Sequence, residues 1–274
     1  MTDAAGYSNY DRMRTVILCG GQGTRIRGLA DNMPKPMALI GSRPILWHLM
    51  KIYAHHGLKD FVLCLGYKGW TIKEFFLNYH AVSSDLSLTL GNHGVVDFHD
   101  GISEDWHITL AETGEETQTG ARIWRVRQYL EETEYFCLTY GDGVADIDIQ
   151  KLINFHQSHG RIGTVTGVRP PGRFGVMQTE KRNGVTIVRT FEEKIQTTSG
   201  RINGGFFVFD SRLWNYLNDD PDLVFEREPL ARLAHDGQLV MYEHDGFWQP
   251  MDTYREWKIL NELWETNEAP WRVW

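Results

Sequence analysis

Three glycines end an apolar run near the start of the chain, Thr15-Val16-Ile17-Leu18-Cys19-Gly20-Gly21-Gln22-Gly23-Thr24-Arg25, and Lys35 follows ten residues on. The β-branched and apolar residues predict a buried strand, and the glycines a loop whose backbone can approach a ligand closely. Bare amide N–H groups, Arg25 as a bidentate donor and Lys35 as a mobile point charge together suit a polyphosphate. A tight strand-to-helix turn without a ligand would use the same glycines. The spacing fits neither Gly-x-Gly-x-x-Gly, because Ile26 stands at the third glycine position, nor the P-loop, which needs Gly-Lys-Ser/Thr.

Two carboxylates could complete such a site. In Thr139-Tyr140-Gly141-Asp142-Gly143 an apolar strand runs into an aspartate bracketed by glycines, at the kind of strand end where open α/β sheets place ligand groups. In Trp248-Gln249-Pro250-Met251-Asp252-Thr253 a second aspartate precedes a helix, where it could cap that helix or bind a cation. Beside a phosphate loop the pair suits Mg²⁺, which takes a few carboxylates together with substrate phosphates. Between them lie Glu193-Lys194 and Asn203-Gly204-Gly205. These could form a solvated ion pair and a turn, or bind a sugar phosphate, Lys to the phosphate and Glu and Asn to hydroxyls.

The elements that must position these residues alternate. Strands are expected at Thr15–Leu18, Asp60–Leu65, Leu86–Leu90, Phe136–Tyr140 and Gly163–Val168, and helices at Pro44–His56, Gly69–Asn78, Gly120–Leu130 and Ile149–His159, a doubly wound pattern. Short strands follow at Gly175–Thr179, Val185–Phe191, Phe206–Phe209 and Leu239–Tyr242, with helices near Arg212–Leu217, Phe225–Ala234 and Tyr254–Trp264. With no repeat and no Ser/Pro-rich linker, residues 15–274 are expected to form one domain, the later strands built onto the central sheet. Residues 1–14 are expected to be a polar arm.

Composition bounds the rest. The 274 residues are 42% hydrophobic, ample for a core, and the formal net charge of −8 argues against a nucleic-acid surface. No stretch is long and apolar enough to span a bilayer and the start does not read as a signal peptide, so a cytoplasmic protein without a membrane partner is expected. Cys19, Cys64 and Cys137 sit in apolar runs and are expected to be buried and reduced. The eleven histidines are scattered, and adjacent His55 and His56 must face different ways on a helix, which disfavours a histidine metal site. Among ten tryptophans, Trp264, Trp271 and Trp274 flank a proline-containing tail suited to packing on the domain or on another subunit.

Taken together, Gly20-Gly21-x-Gly23-Thr24-Arg25, Pro34-Lys35-Pro36-Met37, Tyr140-Gly141-Asp142-Gly143, Glu193-Lys194, Asn203-Gly204-Gly205-Phe206-Phe207 and Met251-Asp252-Thr253 resemble the sugar-1-phosphate nucleotidyltransferase family. Pro44-Ile45-Leu46-Trp47-His48, Gly66-Tyr67-Lys68-Gly69, Pro170-Pro171-Gly172-Arg173-Phe174-Gly175 and Gly246-Phe247-Trp248-Gln249 are similar to its cytidylyl branch. The resemblance implies a Rossmann-like mixed α/β fold: a mainly parallel central sheet flanked by helices, with extra strands and a C-terminal helix added to the one core. It implies a homo-oligomeric, Mg²⁺-dependent enzyme that joins CTP to a hexose 1-phosphate, glucose 1-phosphate foremost, by in-line attack on the α-phosphorus. A thymidylyl- or uridylyltransferase, a CTP enzyme for a modified hexose, and a silent nucleotide or sugar-phosphate sensor are the alternatives.

By motif position the resemblance implies that Gly20, Gly21, Gly23, Thr24 and Arg25 hold the triphosphate, with Arg25 and Lys35 catalytic. Asp142 and Asp252 ligate Mg²⁺. Lys194 meets the sugar phosphate, and Gly175, Glu193, Asn203 and Gly204 line the hexose. Thr113, Gly114, Thr119 and Gly120 form the base-reading loop, with Arg122 adding a ribose or phosphate contact. Three departures stand out: Met33 where the family carries a lysine, a charge that Arg27 is placed to replace, Ile195 where a proline follows Glu-Lys, and the length of chain before Thr15.

Overall fold

A computed structural model describes residues 13–21, 33–90, 94–101, 104–170, 176–182, 185–192 and 200–274. In chain order the main elements are β1 (Arg14–Leu18), α1 (Ile45–His55), β2 (Asp60–Leu65), α2 (Gly69–Leu77), β3 (His107–Glu112), α3 (Thr119–Arg125), β4 (Tyr135–Tyr140), α4 (Ile149–His159), β5 (Gly163–Val168), β6 (Ile202–Asp210), α5 (Glu228–His235), β7 (Leu239–His244) and α6 (Tyr254–Glu265). The seven strands form one sheet in the order β3-β2-β1-β4-β6-β5-β7. Only β6 is antiparallel to its neighbours. Its first residues therefore start from the edge at which the other strands end.

Each central strand is buried on both faces, which is why it reads as a continuous apolar run. In β1, Ile17 packs into one core while Val16 and Leu18 face the other. The first core holds α1, α4 and α6 against the sheet, the second α3 and α5. Helix α4 owes its limits to local chemistry. The Asp148 side chain accepts from the Lys151 N–H at 3.0 Å, and Gly160 ends the helix in the left-handed region at φ 67°.

Most of the expected elements form, with differences of one to a few residues at their ends. The expected central strand at Leu86–Leu90 does not join the sheet. It lies in an outlying hairpin, Ser84–Thr89 with Val95–Gly101, where Leu88 and Phe98 remain half exposed. The parallel strand on that side of the sheet is β3, whose edge position lets His107 and Glu112 face solvent and breaks the apolar signature. The expected helix over Gly120–Leu130 stops at Arg125 and continues only as a 3₁₀ turn at Arg127–Tyr129. Arg14, assigned to the arm, already pairs within β1, with Met13 buried before it. Residues 1–12 lie outside the described residues.

All three cysteines are free and buried, and burial pushes the Cys64 thiol up to about 12. The tryptophan tail packs on the domain itself: Trp264, Trp271 and Trp274 surround His48 of α1, with Trp271 fully buried. Among the described residues no helix is long and apolar enough to cross a membrane, and no cluster of three acidic, histidine or cysteine side chains suits a metal.

Candidate active site

The order β3-β2-β1-β4 makes the gap beyond β1 and β4 a topological switch point, because the chain leaves β1 toward one side of the sheet and returns to its other side. Leu18 and Tyr140 stand in register at the ends of these two strands. Beyond them the Gly141 N–H donates to the Leu18 carbonyl at 3.0 Å, and the Cys19 N–H to that of Cys64 at 3.1 Å. A Cβ on Gly141 would come within 3.0 Å of both the Leu18 oxygen and the Pro36 ring. Glycine lets Asp142 follow closely on the strand without displacing these neighbours.

A cleft of about 340 Å³ opens there, lined by Gly20, Gly21, Lys35, Thr117, Gln118, Thr119, Arg122, Tyr140, Asp142 and Asp252, among others. That volume suits a small ligand. A second cleft of about 300 Å³ lies beside it, lined by Asn203, Gly204, Gly205, Glu226 and Trp248, and it shares Tyr140, Asp142 and Asp252 with the first.

The two aspartates converge through a short ribbon. Gly143–Ala145 pairs antiparallel with Trp248–Pro250, and the Met251 N–H donates to the Asp142 carbonyl at 2.8 Å. The residues that follow Pro250 are thereby held against those that precede Gly143. Asp252 does not cap α6. The cap is Thr253, in a reciprocal box with Glu256, whose carboxylate also accepts from the Asp252 N–H at 2.7 Å. The Asp252 side chain is left free to point into the clefts.

Lys35 fills the space between the carboxylates. It stands in a 3₁₀ turn, Lys35–Met37, anchored by buried Pro36 and Met37. Its Nζ donates to Asp142 Oδ2 and Asp252 Oδ1, each at 2.5 Å. Burial alone would lower the lysine pKa, but Asp142 foremost, and then Asp252, outweigh it and hold the ammonium above its ordinary range. The lysine therefore stays charged at every physiological pH.

Arg122 lines the first cleft and is at the same time engaged within the fold. Its guanidinium donates to five oxygens: the carbonyls of Leu65, Gly114, Gly20 and Glu115, and the Thr113 hydroxyl. It thus ties together the ends of β1, β2 and β3. A Cβ on Gly20 would lie 2.2 Å from its Cζ, and one on Gly66 2.4 Å from its Nη1. Those positions are glycine because the guanidinium occupies the room. Thr113 is similarly committed, its hydroxyl donating to the Leu65 carbonyl at 2.6 Å, and neither it nor Gly114 reaches the cleft. Gly120 packs against Leu223.

On the other side, Gly204 gives its carbonyl to Trp248 Nε1 at 2.7 Å, and the Asn203 side chain accepts from the Gly205 N–H at 2.9 Å. Gly205, at φ 79°, lies where a Cβ would meet the Tyr140 ring at 2.6 Å. Burial, then the nearby Glu226 charge, push the Tyr140 phenol well above its ordinary value and keep it a donor. Gly23, Thr24, Arg25, Gly175, Glu193 and Lys194 lie outside the described residues, as do Arg27 and Ile195. Met33 packs against the core. Sequence reading missed Thr117, Gln118, Tyr140 and Glu226. Only Tyr140 carried a signal, its place at a strand end before Gly-Asp-Gly.

A cleft at the switch point of such a sheet, with a largely buried lysine between two carboxylates, is where open α/β folds bind their ligands. Within that class the chain is a member of the nucleotidyl transferase family, which it matches over residues 14–252. It is 45% identical over 262 residues to glucose-1-phosphate cytidylyltransferase of Salmonella typhi, covering 96% of this chain and all of that one. It is 44% identical to a probable glucose-1-phosphate cytidylyltransferase of Bacillus subtilis, with 96% of this chain and all of that one covered. In fold it is similar to HddC from Yersinia pseudotuberculosis complexed with GMP-PN, at a TM-score of 0.65 and 20% identity over 92% of this chain and 99% of that one.

Proposed function

We propose that the protein transfers the cytidylyl group of CTP to a hexose 1-phosphate, α-D-glucose 1-phosphate first, giving CDP-hexose and pyrophosphate. The observation that carries this reading is Lys35 held between Asp142 and Asp252 where the two clefts meet. Full-length similarity to proteins named glucose-1-phosphate cytidylyltransferase supports the choice of base and sugar.

The cleft with Gly20 and Gly21 takes the nucleotide, and the cleft with Asn203 and Gly204 the sugar phosphate. A phosphate oxygen of the sugar attacks the α-phosphorus as the bond to the bridging oxygen breaks, and pyrophosphate leaves with that electron pair. The chain's task is to hold two anions in line and to neutralise charge, by positioning and electrostatics. Lys35 supplies a fixed positive charge at the seam. On the sequence resemblance, Gly23, Thr24 and Arg25 extend the triphosphate site, and Gly175, Glu193 and Lys194 the sugar side.

The residues fit Mg²⁺. Asp142 and Asp252 each keep a second hard oxygen, Oδ1 and Oδ2 respectively, beside the one that accepts from Lys35, and each side chain is about one-third exposed at 32% and 34%. No third acidic, histidine or cysteine ligand stands with them among the described residues, which leaves positions for phosphate and water as Mg²⁺ prefers. Bound by these two carboxylates, the ion would offset phosphate charge.

Base choice falls to the segment that lines the nucleotide cleft, Thr117, Gln118 and Thr119. Cytosine offers an N4 amino donor where uracil and thymine present an O4 acceptor. A loop built to accept from that amino group leaves polar groups unpaired with UTP or TTP, worth about 1–3 kcal/mol per group. The enzyme acts in the cytoplasm as a homo-oligomer, which light scattering on the purified protein would check. A pyrophosphate-release assay with four nucleoside triphosphates against several hexose 1-phosphates tests the reaction itself. CTP with glucose 1-phosphate should be turned over at least about tenfold more efficiently than UTP or TTP. Equal efficiency would overturn the base assignment, and no release with any pair would overturn the reaction.

A further inference from the structure

Glu226 sits where the two clefts are joined by side chains rather than by the sheet. It ends a strap, residues 221–226, that is laced to the start of α3. The Pro221 and Leu223 carbonyls accept from the Gln118 and Gly120 N–H groups, each at 2.8 Å, and the Phe225 N–H donates to Thr119 Oγ1 at 2.9 Å. The Glu226 carboxylate then divides. Oε2 accepts from the Thr119 hydroxyl at 2.7 Å, and Oε1 from the Tyr140 phenol at 2.6 Å.

Each of those hydroxyls has a fixed proton direction. The ionised carboxylate can only accept, so both hydroxyls donate to Glu226, while Thr119 Oγ1 accepts from the Phe225 N–H and the Tyr140 oxygen lies 3.4 Å from the Asn203 Nδ2 donor. A carboxylate accepts at both oxygens, whereas a carboxamide offers one acceptor only. Thr119 belongs to the nucleotide cleft and opens the helix that carries Arg122. Tyr140 lines both clefts, packs on Gly205 and stands two residues before Asp142.

We propose that Glu226 is a positioning residue that couples the two substrate subsites, so that nucleotide bound on the Thr119 side tightens sugar-phosphate binding on the Tyr140 and Asn203 side. The inference rests on the assignment of the two clefts to nucleotide and sugar phosphate. Reorienting Thr119 when a nucleotide settles against α3 moves the carboxylate, and with it the phenol beside Asn203. By linkage the effect is reciprocal.

The test is calorimetric titration of glucose 1-phosphate into the intact protein. It is done with and without a saturating α,β-methylene analogue of whichever triphosphate the wild type turns over best. The wild type should bind the sugar phosphate at least about fivefold more tightly with the analogue present. Glu226→Gln should reduce that factor to below about twofold, with affinity for the analogue alone and the urea midpoint nearly unchanged. Tyr140→Phe should also lose the coupling, and adding Glu226→Gln to it should cost nothing further. An undiminished factor in Glu226→Gln, or none in the wild type, overturns the proposal. So does a loss of stability and of both affinities together, the mark of a merely structural contact. Turnover with a base other than cytosine overturns the CTP reading while leaving this test in force.

Discussion

At the scale of single residues the decisive group is the ammonium of Lys35, because two carboxylates that approach one point without it would repel. Asp142→Asn or Asp252→Asn removes one charge at nearly constant shape and should lower turnover at least about a hundredfold, as when an electrostatic contact to the transition state is lost. Initial rates at saturating substrates measure this, and a change of less than about tenfold would remove the carboxylate from the reaction. Lysines 35 and 194 should separate kinetically. Lys35→Ala should chiefly depress kcat, and Lys194→Ala should chiefly raise KM for the hexose 1-phosphate. Matching profiles would abolish that division of labour. The aspartates and Lys35 were legible because each interrupts an apolar or glycine-rich run with a charge. Glu226 was not, since a glutamate just ahead of a helix is an ordinary surface residue until Thr119 and Tyr140 are seen on either side of it.

At the scale of elements, α3 is a bracket as much as a helix. Arg122→Lys keeps the charge but replaces a planar five-donor group with one that cannot reach five oxygens, leaving buried carbonyls unpaired. A loss of about 3 kcal/mol is expected from urea denaturation, with nucleotide affinity falling as the Gly20 end of β1 loosens. A substitution that weakened binding at undiminished stability would instead mark Arg122 as a direct ligand. The sequence could not distinguish these roles. The family resemblance gives Arg122 a ribose or phosphate contact, whereas its carbonyl partners come from the ends of three strands far apart in the chain. The motif at Asp252 was ambiguous for a related reason. Aspartate and threonine both cap helices, and the choice between them depends on which one meets Glu256. Secondary structure was clearest where both faces of a strand are buried, as in β2 and β5, whose limits match the expected ones. It was least clear at the edge, where β3 carries a charged and a histidine end.

For the whole molecule, pH reports on two buried histidines outside the lining of the clefts. His48 Nε2 donates to the Ile40 carbonyl inside the tryptophan cluster, His156 hydrogen-bonds Thr164, and burial lowers each from 6.5 to about 4. Because the folded pKa lies below the unfolded one, the unfolded chain binds more protons between these values. The stabilisation is thus complete above about pH 6.5 and lost as pH falls toward 4. Up to about 3 kcal/mol per histidine is at stake, so the urea midpoint should drop steeply across that window. A flat midpoint from pH 7 to 4 would show that neither ring is held neutral by the fold.

The register of Leu18 with Tyr140 has a kinetic meaning as well. The phosphate rim exists only once β1 has paired with a strand separated from it by three crossovers. Loop closure on that scale precedes any contact that rewards it, and such topologies fold slowly. On dilution from denaturant, tryptophan fluorescence should recover early as the cores collapse, while competence to bind nucleotide should return only in the last and slowest phase.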